Sequence, residues 1–277
     1  MDNDTVRKFL PNYIQPGLGE ENLIDKISPF IDAAETWVNC YVATQQFADG
    51  FEHLKELRDN IVAARALFLA APALDVTMHP NGLAVVNTDA LAPASAERSR
   101  EFRKALDRQI LENIDRFMEA VTADESIWSV YFVTCPPTVI WRASIFFSCD
   151  DLISFTGIDR SADEFIHTLH KVSEIEDSFA EKYISYPLLW EFRNNKGPQE
   201  NPKSDIYFAI VSSLKRIIAS MAMSNGSELY PHIKFRRIVN EIRKHPNVFP
   251  QWHNSDTAKL YDPPVFRNDR TSGGYFF

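Results

Sequence analysis

Three runs of apolar residues recurring every three to four positions dominate the first half of the chain. A stripe of that period is buried only when its segment is a helix lying against other helices. Between Glu20 and Val42 the stripe is Leu23, Ile27, Phe30, Ile31, Ala34, Trp37, Val38 and Tyr41. Between Ala48 and Ala71 it is Phe51, Leu54, Leu57, Ile61, Ala64 and Phe68, with Pro72 expected to end the helix. Between Ala96 and Val121 it is Phe102, Leu106, Ile110, Ile114, Phe117 and Val121, with Ser95 as N-cap and Glu97 in the first turn. Composition agrees, since 20 Phe against 9 Gly favours helices packed by large aromatics over a turn-rich β-sandwich. The expected fold class is mainly α, a helical bundle.

The second half is more broken. "SIWSVYFVTCPPTVIWRASIFF" (126–147) is rich in β-branched and aromatic residues and is split by Pro136-Pro137, which predicts extended segments around 128–147. Helices are expected at Cys149–Phe155, from Ala162 to about Phe192, over Ile206–Ser224 and over Tyr230–Lys244, with a polar Pro/Gly loop at 194–205. Beyond "HPNVFP" the prolines are scattered and no period survives. "DKISPFIDAAETWVNCYV" (25–42) aligned with "HTLHKVSEIEDSFAEKYI" (167–184) places Ile27 on Leu169, Phe30 on Val172, Trp37 on Phe179 and Tyr41 on Tyr183. Two related helical units would give this echo, although any two amphipathic helices align comparably. The expected division is a helical unit over 1–125, an extended connector over 126–148, a second helical unit over 149–247 and an extended tail over 248–277.

One stretch stands apart from the helical pattern. "LDVTMH" and "LAVVN" are β-prone and flank Pro80-Asn81-Gly82, where Pro80 presets a type I turn and Gly82 can take a left-handed position. An inserted β-hairpin around 74–88 is the reading. A lone two-stranded hairpin is marginal in water, so it leans either on its own helices or on a neighbouring subunit. The segment "GGYFF" at 273–277 poses the same question, because three adjacent aromatics are poorly tolerated in water. Met78, His79, Pro80, Asn81, Gly82 and Leu83, with Tyr275, Phe276 and Phe277, are therefore the candidate protein-interface residues.

Residues able to carry chemistry are few, and each has a plainer account. His167, His170 and Glu174 share a helical face, but a metal centre needs a defined first shell and ordered outer partners, and a solvated face explains them. Asp150-Asp151 stand at a helix start, where caps and the dipole favour acids. Cys40 lies on or beside an apolar stripe and is expected to be buried and inert; Cys135 precedes Pro136 with no nearby His to activate it. "PGLG" (16–19) lacks the Lys and the strand of a phosphate loop, and GxSxG, HExxH and kinase patterns are absent. No catalytic, cofactor-binding or metal-binding residue is assigned, and no cofactor is expected.

Charge and cysteine usage restrict the partners. A net charge of −9, from 29 Lys+Arg against 38 Asp+Glu, is a poor match for gripping a phosphate backbone, yet compatible with a surface that DNA slides past. "KFRRIVNEIRKH" (234–245) is the basic exception, read as one buried and one charged helix face, with a structural surface or a protein contact favoured over a nucleic-acid contact. Cys40, Cys135 and Cys149 form no CxxC pair, which fits a reducing compartment. The first residues lack the apolar core of a secretory signal, and no apolar stretch approaches the roughly 18 residues of a membrane span, so no membrane association is expected.

The run "TMHPNGLAVVNTDALAPASAERSREF" (77–102) resembles the Asn-Gly … Ala-Pro-Ala-Ser segment of an uncharacterised family of Bacteroides phage and prophage virion structural proteins. "FLPN", "DLISFTGI", "AEKYI" and "FRNDRTSGGYFF" are similar to that family too, while Leu83 stands where an aromatic is more usual. The resemblance implies a non-enzymatic head–tail connector (adaptor), assembled in the host bacterial cytoplasm and residing in the virion. It implies a homo-oligomeric ring of about twelve copies linking phage portal and tail proteins, with DNA only passing through its channel. The alternatives are a tail terminator, a baseplate or injection-system component, an enzyme with an unrecognised site at Asp150 or Asp151, or a cytosolic regulatory binding protein.

Overall fold

The computed structural model describes residues 25–74, 77–79, 82–84, 96–135, 144–194, 204–224 and 231–261, and these are mainly helical. A 3-10 turn at Ser28–Phe30 leads into α1 (Ile31–Tyr41), which buries Ile31, Ala34 and Val38 along the expected stripe. The short α2 (Gln45–Asp49) is capped by the Thr44 hydroxyl, which accepts from the Phe47 N–H at 3.2 Å. Then α3 (Glu52–Leu74) runs through the centre of the bundle. Apart from Arg65, its "IVAARALFLAA" is apolar all round, and nearly every residue from Arg58 to Ala71 is buried. The helix continues past Pro72, where an end was expected. Pro72 is exposed in the last turn, where the helix tolerates a proline at the cost of a backbone hydrogen bond.

The longest helix, α4 (Ala96–Thr122), packs along α3 and buries Leu106, Ile110, Ile114, Phe117 and Val121. The next element corrects an expectation. Glu125–Thr134 is not extended but helical (α5). The Asp124 carboxylate accepts the N–H groups of Ser126 at 2.8 Å and Ile127 at 3.4 Å, which starts the helix. Trp128 and Tyr131 are then buried, and the Tyr131 hydroxyl donates to the Val42 carbonyl at 2.7 Å. Burial on one helical face outweighed the β-propensity of the individual residues. Residues 136–143 of the expected connector lie outside the described residues; 144–148 are non-helical.

Within 74–88, Leu74 ends α3, and β1 (Thr77–His79) pairs antiparallel with β2 (Gly82–Ala84). Thr77 stands opposite Ala84, Met78 opposite Leu83 and His79 opposite Gly82. Two three-residue strands do not by themselves establish the projecting hairpin expected here. Pro80, Asn81 and 85–88 lie outside the described residues.

The second half holds α6 (Cys149–Thr156), α7 (Ala162–Ile175), a π-helical turn (Glu176–Ala180), α8 (Glu181–Ile184), α9 (Tyr186–Asn194), α10 (Asp205–Met223) and α11 (Pro231–Lys244). Ser148 caps α6 by accepting from the Asp151 N–H at 2.9 Å, and Gly157 ends it at φ +71°, the left-handed position glycine adopts without strain. The aligned stretches differ locally. Residues 25–42 hold a 3-10 turn and α1, whereas 167–184 cross from α7 through the π turn into α8.

Part of the expected extended tail is helical, as α12 (Pro250–His253) and α13 (Asp256–Tyr261). Phe249 and Trp252 are fully buried, and the Trp252 indole N–H donates to the Tyr183 carbonyl at 2.8 Å, which ties this segment to the bundle. Residues 262–277 lie outside the described residues. A second correction concerns α10, which is long and apolar enough to cross a membrane by length and composition alone. Here it is a core helix that buries ten of its residues, Tyr207, Leu214, Lys215 and Ile218 among them.

A single apolar cluster runs from Ile27 to Ala258 through both expected units. The polar seam between them is carried by α4. Asp107 accepts the Ala162 N–H at 3.0 Å, at the start of α7, and Asp115 accepts the Cys149 N–H at 2.7 Å and the Asp150 N–H at 3.3 Å, at the start of α6. Eight residues apart, the two acids share a face of α4, so one helix caps two others.

Candidate functional site

Among the described residues, the densest cluster of ionisable groups surrounds the strap 144–148 and the start of α6. Glu176 opens the π turn fully buried, and its Oε1 accepts from the Ser144 hydroxyl at 2.8 Å and the Ile145 N–H at 3.1 Å. Its Oε2 accepts from Arg193 Nε at 2.8 Å, while Arg193 Nη2 donates to Asp177 at 2.7 Å. Burial pushes the Glu176 carboxyl up despite Arg193 beside it. Burial also opposes the charge on Arg193, but Glu176 and Asp177 outweigh it and hold its pKa above the ordinary value. Lys215 of α10 donates to Asp151 Oδ2 at 2.5 Å and sits 3.8 Å from the Phe147 ring centroid. Burial lowers the Lys215 pKa, and Asp151 offsets part of that.

This arrangement is committed to holding the chain together. Asp151 also accepts the Phe147 N–H at 2.8 Å, and Asp150 turns away to Arg160 at 2.8 Å, so the adjacent acids face different partners. The Cys149 thiol is pushed well up by burial and by Asp115, and stays protonated at neutral pH. Each carboxylate around the strap thus receives backbone N–H groups or a cation, the arrangement that fixes a non-helical strap inside a helical bundle.

The remaining expected residues are scattered. His167, His170 and Glu174 are exposed on α7, His170 has its ring edge-on to Tyr41 at 5.9 Å, and no three ligating side chains gather into a metal cluster among the described residues. Cys40 is exposed, which corrects its expected burial; Cys135 and Cys149 are the buried thiols. Cys40 falls beside the stripe of α1, one position beyond half-buried Asn39, and the helix turns it outward. Of the expected interface residues, Met78, His79, Gly82 and Leu83 lie in the short ladder; Pro80, Asn81, Tyr275, Phe276 and Phe277 lie outside the described residues.

Sequence reasoning missed Asp107, Asp115, Glu176, Arg193 and Lys215. A signal was present for three of them. Glu176 continues the α7 stripe of Leu169 and Val172, Lys215 interrupts the apolar "IVSSLKRIIASMAM", and Asp115 adjoins Ile114 on the buried side of α4. A charge at an apolar-stripe position announces a buried partner.

The outward-facing candidate lies where α5 meets α9. Phe132 of α5 is edge-on to Trp190 of α9 at 5.2 Å, and Trp190 stacks on Tyr186 at 6.0 Å. Tyr186, Pro187, Trp190, Glu191, Asn194 and Gln251 line a shallow, mostly apolar hollow. Tyr186 is 55% exposed, and on the outer face of α5 Val130 and Val133 are 42% and 81% exposed. Large apolar side chains gathered at a surface in this way are the usual mark of a contact with another protein.

Compared with protein-family models, with curated proteins and with solved structures, the chain matches none.

Proposed function

We propose that the chain is a non-enzymatic assembly protein that forms a homo-oligomeric ring and serves as a phage head–tail connector between portal and tail. The observation that carries the assembly role is the exposed apolar and aromatic set of α5 and α9: Val130, Val133, Tyr186 and Trp190. Burying such side chains against a neighbour gains about 25 cal/mol per Å² of apolar surface, so their exposure on an isolated chain is unfavourable. The resemblance of residues 77–102 to phage virion proteins supports the position in the particle. On this reading the hairpin 74–88 and the aromatic segment 275–277 act as handles between subunits, and DNA passes the acidic body without being gripped.

Light scattering and negative-stain imaging of the purified chain, alone and mixed with portal protein, provide the test. A closed ring is expected, and Val133→Glu with Tyr186→Glu should reduce it to monomer while the far-UV circular dichroism and melting temperature stay unchanged. A protein that remains strictly monomeric even with portal, or that is absent from purified virions, overturns the proposal.

A further inference from the structure

A second surface, unrelated to the aromatic face, lies between α10 and α11. Its floor is formed by the nearly buried Ile210 and Ile217 of α10 with Ile238 of α11, and its rim carries Arg216, Lys234 and Arg237. The hollow has a volume of about 540 Å³. Glu241, the one acid among its lining residues, accepts from Lys244 at 2.6 Å. A continuing hollow on the same helix is lined by Arg237, Asn240, Arg243 and Lys244.

The charge distribution is uneven for an acidic protein. Helix α11 holds five of the 29 Lys and Arg residues, Lys234, Arg236, Arg237, Arg243 and Lys244, and one of the 38 acids. Removing α11 from the count leaves a body still more acidic than the whole chain. Phe235, Ile238, Val239 and Ile242 anchor the other face of the helix, so its cations are held on a rigid support.

We infer that the α10–α11 groove is a docking site for an acidic amphipathic helix of a partner protein. Ile210 and Ile217 are seven residues apart and present two ledges about 10 Å apart along α10, the spacing at which a docked helix repeats its apolar ridge. Lys234 to Lys244 extends the cationic flank to about 15 Å, or roughly three turns of the incoming helix. Apolar positions on that helix seat on the isoleucines while its Asp and Glu residues meet Arg216, Lys234 and Arg237. The cations supply steering and register, and the narrow apolar floor of the groove sets where the helix sits. A nucleic acid fits less well, because no lining residue is aromatic and single-stranded bases need aromatic platforms. Two α11 faces from identical copies would set cation against cation, which disfavours a symmetric self-contact.

The test uses the full chain and a fluorescent synthetic helix of about fifteen residues, with leucines at i, i+3, i+4 and i+7 and glutamates flanking them. Comparison probes are a scrambled peptide of equal charge, a lysine-flanked peptide, and single- and double-stranded oligonucleotides. Fluorescence anisotropy should show micromolar binding of the acidic amphipathic helix, weakened about tenfold or more by Arg216→Glu with Arg237→Glu and by raising salt from about 0.05 to 0.5 M. The scrambled peptide should bind several-fold more weakly. Equal binding of the scrambled peptide, indifference to the charge reversals, or tighter oligonucleotide binding through the same arginines overturns the inference. A drop in oligomer size on charge reversal also overturns it, since the groove would then belong to a contact between copies. That outcome is separable from the ring proposal, whose test reads Val133 and Tyr186.

Discussion

Arg58 and Arg193 are both buried guanidinium groups, one in each half of the molecule, and the two halves hold them differently. Arg58 meets mostly neutral acceptors: the Ala43 carbonyl at 3.3 Å, the Asn39 side-chain oxygen at 2.9 Å and the Gln45 side chain, with Asp59 at 3.7 Å. Burial lowers its pKa, and Glu35, Asp59 and Asp49 only partly oppose that. Arg193 sits between two carboxylates, which hold its pKa up. The N-terminal half is a mainly apolar bundle in which Arg58 closes the α1–α2 corner with backbone and amide oxygens, while its other buried arginine, Arg65, reaches across to Asp163 at 2.5 Å. The C-terminal half is tied together by ion pairs around a strap that has no regular structure of its own.

The largest effects separate these two designs. Glu176→Ala leaves Arg193 buried without its main partner and frees the Ser144 and Ile145 donors, and a loss of about 3–5 kcal/mol in urea unfolding is expected. Ile61→Ala in the apolar centre of α3 should cost a similar amount, about 2–5 kcal/mol, through a cavity. The difference appears on repair. Glu176→Leu combined with Arg193→Met should recover part of the loss, because a buried ion pair often exchanges for an apolar pair at no net cost, while the Ser144 and Ile145 donors stay unpaired. No second substitution is available to refill the void at Ile61. If the Leu/Met pair is as unstable as Glu176→Ala alone, the ion pair sets the fold of the strap and is more than a replaceable tie.

The same contrast decides what was legible in the sequence. The stripes of α1, α3 and α4 lie largely at the predicted residues, because an apolar core answers to helical period; Phe102, at the start of the α4 stripe, is exposed instead, and Leu23 lies outside the described residues. The strap 144–148 and its junction with α6 do not, since their conformation depends on Glu176, Asp115 and Lys215, which are 25 or more residues away in sequence. α5 was misread for a related reason. Trp128 and Tyr131 look β-prone singly, and only burial against α2 and α4, with Asp124 as cap, makes them helical. Of the surfaces, the basic face of α11 was visible in "KFRRIVNEIRKH", but the aromatic face of α5 and α9 required two segments over 50 residues apart to meet.

A smaller effect tests how α4 links the halves. Burial raises the pKa of Asp115, although the N–H groups of Cys149 and Asp150 pull it back. A carboxyl raised in the folded state stabilises fully below its unfolded pKa, near 4, and that contribution is lost as pH rises through the folded value. Asp115→Asn removes this titration but keeps one acceptor for the α6 cap. The stability advantage of the natural chain over this variant should be about 1 kcal/mol at most near neutral pH, and should grow as pH falls toward 4. Urea midpoints across that window give the slope. An advantage that widens as pH rises would mean that the helix start, not burial, dominates Asp115.

The smallest expected effect lies at the junction of α8 and α9. Ser185 adopts φ +72°, a region L-residues avoid, and its buried hydroxyl meets no partner. The conformation is imposed from both sides. The Ser185 N–H donates to the Glu181 carbonyl, and its carbonyl accepts from the Leu189 N–H at 3.0 Å, which lets α9 start at once. Ser185→Gly keeps both backbone bonds, relieves strain of about 1–3 kcal/mol and removes a stranded hydroxyl. The added flexibility of glycine in the unfolded chain takes back about 0.5–1 kcal/mol. A net gain of about 0.5–1 kcal/mol, or a few degrees in melting temperature, is expected. A destabilised Ser185→Gly would instead show that the seryl Cβ packs usefully in this corner, making the junction a second place where the C-terminal half relies on a specific side chain.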